Sequence, residues 1–222
     1  MAARKQMISL SNIVTLLCAY LLGSIPTAVW IGQIFYKIDV REYGSGNAGA
    51  TNTFRVLGYK AGIPVLIIDI FKGWASVAIL VVVLKKFNFV QSGSEEYGNI
   101  QLGSGIACLM GHIFPIYAGF RGGKGVATLL GIMLAIHPNS TGVCIGIFIL
   151  TLLLSGYVSL SSMIAGFAFP FLLLYAFHNE NEIQNLFSML IATLILVTHQ
   201  KNIERLFRGA EPKIKLFKKK KS

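Results

Sequence analysis

Three short polar stretches interrupt an otherwise apolar chain, and each carries residue types able to hold an anion. The first runs Gly44-Ser45-Gly46-Asn47-Ala48-Gly49-Ala50-Thr51-Asn52-Thr53-Phe54-Arg55. Its glycines let backbone N–H groups converge on phosphate oxygens, Ser45, Asn47, Thr51 and Asn52 add neutral hydrogen-bonding groups, and Arg55 adds a forked, permanent charge. A Gly/Ser run can also be a plain linker, but a linker has no need of clustered Asn, Thr and Arg. The second stretch, Phe120 to Thr128, places Gly122-Gly123-Lys124-Gly125 just ahead of an apolar helix. Helix N-terminal amides, the positive end of the helix dipole and an ammonium together suit a phosphate. A glycine turn with a snorkelling lysine is the plainer alternative. It is not a Walker A loop, because Ala118 stands where the first Gly would be and Gly125 where the Ser or Thr would be, so nucleotide hydrolysis is disfavoured.

The third stretch, Thr198 to Arg205, offers His199 and Asn202, three residues apart and expected on one helix face. His199 could serve as acid, base or phosphate donor, or be a solvated side chain. Ser159 and Ser162 share that spacing at the start of another apolar run. They could line a polar cleft, although serines in membrane helices more often bond backbone carbonyls. Asp69 and Lys72, one turn apart inside an apolar run, are expected to neutralise each other facing the bundle interior. His112, between Gly111 and Pro115, is expected to orient the second stretch; His137 and His178 are given no role. Cys18, Cys108 and Cys144 each sit within an apolar run and read as small buried hydrophobes, with no disulfide or metal site expected.

The elements that must position these residues are membrane helices. The chain is 54% hydrophobic and 13% charged, with a mean hydropathy of +0.65; soluble domains carry about 25% charged residues. Apolar runs cover Leu10 to Phe35, Gly62 to Leu84, Leu102 to Ala118, Val126 to Ile136, Thr141 to Tyr157, Leu160 to Phe177 and Leu186 to Val197. With about 20 apolar residues needed per crossing, this predicts an all-α integral membrane protein of about seven spans, two of them short. The first run is too long for the core of a cleavable signal peptide and reads as a retained span. With the C-terminus cytoplasmic, the inner segments hold fifteen basic residues and the outer ones four. The positive-inside rule then puts the N-terminus outside and all three polar stretches on the cytoplasmic face.

The +11 net charge is densest from Lys213 to Lys221, and no nucleic-acid module accompanies it. Attraction to anionic membrane lipids accounts for it better than nucleic-acid binding. No long-period repeat appears, so residues 1–222 read as a single membrane-embedded domain with a basic tail from about 212 to 222.

At these stretches the sequence resembles the bacterial acyl-phosphate:glycerol-3-phosphate acyltransferases, the PlsY family. The segments Gly44 to Arg55 and Gly111 to Thr128, with His199, Asn202, Ile203, Arg205, Leu206, Gly209 and Glu211, are similar to the family's three cytoplasmic motifs. The resemblance implies a seven-span enzyme of the cell inner membrane. It would move a fatty acyl group from acyl phosphate to the 1-hydroxyl of sn-glycerol 3-phosphate, giving lysophosphatidic acid and phosphate in phospholipid biosynthesis, without metal or cofactor. It implies catalytic roles for Ser45, Arg55, Lys124, His199 and Asn202, and substrate contacts for Asn47, Thr51, Asn52, Gly122, Gly123, Gly125 and Ser162. Glu211 resembles the family's structural acid. The enzyme that produces acyl phosphate is an implied partner. The basic tail and the outer segment from Asn88 to Ile100 look longer than the family pattern.

No base dyad is apparent, since His199 and Glu204 are five residues apart and fall on different helix faces. A substrate phosphate oxygen is therefore expected to take the hydroxyl proton, with Ser45, Ser162 or His199 positioning it. From another class, a transporter of a small phosphorylated solute would place its site near the bilayer midplane on broken, repeated helices. Only Asp69 and Lys72 speak for it. A scaffold acting through the basic tail leaves the three polar stretches unexplained.

Overall fold

The computed structural model describes residues 2–86 and 94–214. Residues 215–222 of the basic tail and 88–93 of the long outer segment lie outside the described residues. Regular structure among the described residues is helical: α1 (Ala2–Gly23), α2 (Thr27–Tyr36), α3 (Ala50–Leu57), α4 (Tyr59–Lys86), α5 (Glu95–Ile113), α6 (Val126–Ile136), α7 (Pro138–Ser155), α8 (Val158–Phe171), α9 (Glu182–Thr198) and α10 (Gln200–Phe207), with short 3₁₀ turns at Val40–Glu42 and Ile116–Ala118 and a π turn at Leu172–Ala176.

Five segments are long and apolar enough to cross a bilayer: Leu10–Tyr36, Tyr59–Ile79, Glu95–Ala118, Pro138–Ser155 and Val158–Ala176. A sixth exists if α9 and α10, bent by 57° at their junction, count as one span. The protein is thus an all-helical membrane protein. The remaining apolar run is α6, whose 11 residues rise only about 16 Å, half of a hydrocarbon core of about 30 Å.

The chain divides into two compact units, Met1–His137 and Pro138–Ser222. In the first, small residues let helix backbones meet. A Cβ at Gly23 of α1 would strike the Cys108 backbone of α5, and one at Gly131 of α6 would strike the Ile70 carbonyl of α4. This close packing substitutes for the hydrophobic drive that lipid does not provide. In the second unit, α8 packs on α9 with Ile195 lying against Gly166.

The first apolar run is a broken span rather than one helix. Pro26 has no N–H and disfavours a helical residue before it, so α1 stops at Gly23 and α2 restarts at Thr27. At the break the Ile25 carbonyl accepts from the Thr27 N–H at 3.0 Å and from the Lys72 ammonium at 2.9 Å. Lys72 also lies 2.9 Å from Asp69, whose Oδ1 accepts from the Thr27 hydroxyl at 3.1 Å. The expected Asp69–Lys72 pair is therefore present and buried, and it serves a helix break. An unbonded carbonyl in hydrocarbon would cost several kcal/mol.

Candidate active site

In the first unit the Ser45 stretch is a loop followed by α3. A small apolar cluster of Ala28, Val40 and Val65, joined by Ile31, Ala50 and Leu57, fixes α3 against α2 and α4. The α3 face turned inward presents Asn52 and Thr53, both buried; the opposite face carries Thr51 and Arg55, one turn apart and exposed. Asn52, 2% exposed, organises the loop. Its Nδ2 donates to the carbonyls of Val40 (2.8 Å) and Tyr43 (3.1 Å), and its Oδ1 accepts from the Ser45 N–H (2.8 Å) and the Ser45 hydroxyl (3.1 Å). Those four bonds fill the amide's capacity. Asn52 thus shapes the site from behind and presents Ser45, which is exposed, while Asn47 is half-buried in the same loop.

The second stretch hangs from the end of α5. The Gly122 N–H donates to the Ile113 carbonyl at 3.1 Å and the Gly123 N–H to the His112 carbonyl at 3.2 Å. Two of the amides that glycine would offer a phosphate are thereby committed to the fold. Helix geometry leaves the amides of the first turn of α6 without an intrahelical acceptor, and half-buried Lys124 stands at the same end. Glycine is required at 123 by contact, since a Cβ there would run into the His112 ring, and at 125 by conformation, with φ of 79° at the N-cap of α6.

His112 has the orienting part expected of it. Its Nδ1 lies 3.1 Å from the Thr128 hydroxyl and 3.7 Å from Asp69, so the ring ties the first turn of α6 to the buried ion pair. The two loops meet here. A Cβ on Gly123 would come within 3.2 Å of the Ala48 carbonyl, and the Arg41 guanidinium reaches the carbonyls of Ala118 (2.8 Å) and Arg121 (3.3 Å).

In the second unit, His199 and Asn202 do not share one helix. His199 sits at the bend, ending α9 and preceding α10. The Ile195 carbonyl explains the break, because it accepts from the His199 N–H (3.1 Å), the Thr198 hydroxyl (3.1 Å) and His199 Nδ1 (2.8 Å), crowding the last turn. A carbonyl only accepts, so Nδ1 carries a ring proton. Asn202 donates to Glu211 at 2.6 Å, and Ser159 and Arg205 donate to the same carboxylate at 2.7 Å each. Burial works to raise the Glu211 carboxyl, but the bonds from Arg205, Asn202 and Ser159 outweigh it and hold it below its ordinary value of 4.5. Ser162 is buried and donates to the Val158 carbonyl at 2.9 Å, the backbone role weighed for it.

Sequence reasoning passed over Asp39, Arg41 and Thr128 as site-forming residues. Asp-x-Arg two residues from the first loop was the available signal for one pair; nothing in the sequence marks Thr128 as the partner of His112.

A family model described as glycerol-3-phosphate acyltransferase matches residues 13–209. Glycerol-3-phosphate acyltransferase 2 of Bacillus anthracis is 43% identical over 203 residues, spanning 91% of this chain and 99% of that one. A glycerol-3-phosphate acyltransferase of Listeria monocytogenes is 44% identical over 199 residues, covering 90% and 94%. Among solved structures, the glycerol 3-phosphate form of PlsY, an integral membrane glycerol 3-phosphate acyltransferase, superposes with a TM-score of 0.78 at 32% identity, covering 92% of this chain and 96% of that one. The lysophosphatidic acid form of PlsY gives 0.77.

Proposed function

From the premise that this chain belongs to the glycerol-3-phosphate acyltransferase family and is an integral membrane enzyme of that kind, we propose that its acyl donor is acyl phosphate and its acceptor the 1-hydroxyl of sn-glycerol 3-phosphate. The acceptor oxygen attacks the acyl carbon, the bond from that carbon to the phosphate oxygen breaks, and lysophosphatidic acid and inorganic phosphate leave. One observation carries the assignment. The Gly122–Gly125 loop ends on the amino terminus of α6 and is held against the Ser45 loop, which supports a phosphate site that draws on both stretches.

Acyl phosphate is a mixed anhydride whose leaving group needs charge stabilisation more than protonation. Lys124, Arg55 and the first-turn amides of α6 supply it, and the Ser45 and Gly122–Gly125 loops, with Ser45 presented by Asn52 and with Asn47 and Thr51 adding neutral contacts, hold the phosphate of glycerol 3-phosphate beside it. Holding donor and acceptor together supplies proximity. The hydroxyl proton goes to a substrate phosphate oxygen. His199, with Nδ1 committed to Ile195, contributes to turnover by orienting substrate through Nε2, while Asn202 and Ser162 support that corner. The reaction runs at the cytoplasmic face of the cell inner membrane, where soluble glycerol 3-phosphate meets a lipid donor, and the acyl-phosphate-producing enzyme is the natural partner.

The test is phosphate release by detergent-purified protein given palmitoyl phosphate, with and without glycerol 3-phosphate. Acceptor-dependent release that falls about a hundredfold or more in Lys124→Ala supports the reading. Turnover with acyl-CoA or acyl carrier protein instead would replace the donor, and no turnover with any donor would move the protein toward a carrier of phosphorylated solutes. For His199→Gln, a modest rate loss with the pH profile retained is expected. Loss of roughly 10² to 10⁴ in rate with the pH optimum abolished would make His199 the general base.

A further inference from the structure

A basic residue beside an anion site is ordinarily assumed to bind the anion, and Arg41 stands beside this one. Its hydrogen bonds say otherwise. Nε lies 3.0 and 3.1 Å from the two oxygens of Asp39, and Nη2 lies 2.7 Å from Asp39 Oδ2. Nη1 donates to the Ala118 carbonyl at 2.8 Å and the Arg121 carbonyl at 3.3 Å. Four of the five guanidinium donors are therefore engaged within the protein, and the neighbouring carboxylate cancels the charge. Both side chains are 16% exposed. Asp39 is itself fixed, because its Oδ1 also accepts the Arg41 backbone N–H at 2.9 Å and so caps the 3₁₀ turn Val40–Glu42.

What Arg41 grips needs gripping. Between Ala118 and Arg121 the chain passes through Gly119 (φ 63°) and Phe120 (φ 59°). The left-handed region is unfavourable for phenylalanine and persists only where its surroundings impose it. The two carbonyls that Nη1 holds bracket that pair, and the next residue is Gly122. On the other side, the carbonyls of Val40 and Tyr43, which flank Arg41, are those that Asn52 holds while presenting Ser45.

We propose that Asp39 and Arg41 form a positioning clamp that sets the spacing between the Ser45 loop and the Gly122–Gly125 loop without touching substrate. The clamp rests on the reading that these loops hold the phosphate of glycerol 3-phosphate. Lysine cannot replace Arg41, because a single ammonium cannot grip a carboxylate along its edge and two carbonyls at once. The hydrogen bond to Arg41 holds the Asp39 carboxyl below its ordinary value of 3.8, so the clamp stays charged through neutral pH.

The experiment is steady-state kinetics on the full chain in detergent with palmitoyl phosphate and varied glycerol 3-phosphate. The variants are Arg41→Lys, Asp39→Asn, the double variant Asp39→Asn with Arg41→Gln, and the charge swap Asp39→Arg with Arg41→Asp; Lys124→Ala is run alongside. The clamp requires KM for glycerol 3-phosphate to rise about tenfold or more in Arg41→Lys and in Asp39→Asn, the loss expected of a charge-assisted hydrogen bond. KM for palmitoyl phosphate should move much less, and the double variant should be no worse than the singles. The charge swap should fail equally, because it keeps an ion pair but points a carboxylate at the two carbonyls. A lowered KM in Asp39→Asn would overturn the proposal by showing Arg41 to be an anion contact that Asp39 restrains. Wild-type kinetics in Arg41→Lys, or activity restored by the charge swap, would overturn it too. If Arg41→Lys lost its monodisperse peak in size exclusion, Asp39→Asn would decide by the sign of its KM change. Failure of the acyltransferase reading looks different, as wild type would then show no acceptor-dependent release and Lys124→Ala no defect.

Discussion

At the scale of single residues, the groups proposed to meet substrate are distinct from the groups that hold them in place. Glu211 is the clearest holder. Its carboxylate gathers donors from Ser159 on α8 and from Asn202 and Arg205 on α10, and so fixes the corner next to His199. Removing it leaves buried donors without their acceptor, a loss of about 3 kcal/mol or more, so Glu211→Ala should express poorly. The charge itself is tested by acid. Because Glu211 titrates below its ordinary 4.5 in the folded protein, its contribution is complete above that pH and is lost as pH falls through the depressed value. Thermal unfolding of the detergent-solubilised protein should therefore show the wild type losing stability between pH 5 and more acid conditions, with Glu211→Gln starting lower and changing less. A parallel acid dependence in both would place the effect elsewhere. The sequence singles out Ser45, Arg55 and Lys124 because phosphate chemistry selects those types, and their roles are those proposed above. It misjudged Asn52, whose amide looks identical whether it meets a ligand or four groups of its own loop.

At the scale of elements, positions of the helices were readable and their interruptions were not. Apolar length located each run, but Leu10 to Phe35 hides a break at Pro26 and the stretch through His199 hides a 57° bend. Hydropathy averages over both. The broken backbone is tolerated because Lys72 and crowded carbonyl contacts satisfy it internally. Glycines show the same limit, since the sequence does not distinguish a glycine chosen for conformation from one chosen for contact. Gly123 is of the second sort. A methyl there meets the His112 ring and the Ala48 carbonyl, so it must push apart two loops and an anchoring histidine. Gly123→Ala should reduce kcat/KM for glycerol 3-phosphate about a hundredfold, the scale on which a displacement of about 1 Å near reacting groups acts. Gly98→Ala is the comparison, because a Cβ at that helical position meets nothing within 4 Å. It should keep wild-type kinetics and gain stability of up to about 1 kcal/mol from helix propensity. Equal kinetics in both variants would show that the loops yield to the methyl.

At the scale of the whole molecule, charge asymmetry has to settle which face the loops occupy, because helix packing is indifferent to it. The seven-run reading of the sequence expects fifteen basic residues on one side of the spans and four on the other. Each basic residue close to an anionic cytoplasmic leaflet contributes about 1 kcal/mol, so the excess far outweighs what any single loop could reverse. The same reading serves the proposed chemistry, since it expects Arg55 and Lys124 on the basic side, where a dianionic acceptor would be concentrated before it binds. The orientation is checked with single cysteines in a chain whose Cys18, Cys108 and Cys144 are replaced. Glu180→Cys, in an exposed turn, should react with a membrane-impermeant maleimide in intact cells. Lys60→Cys, exposed at the start of α4, should react only after lysis. The reverse pattern would put the Ser45 and Gly122–Gly125 loops outside the cell, away from cytoplasmic glycerol 3-phosphate, and the proposed reaction could not be supplied with its acceptor.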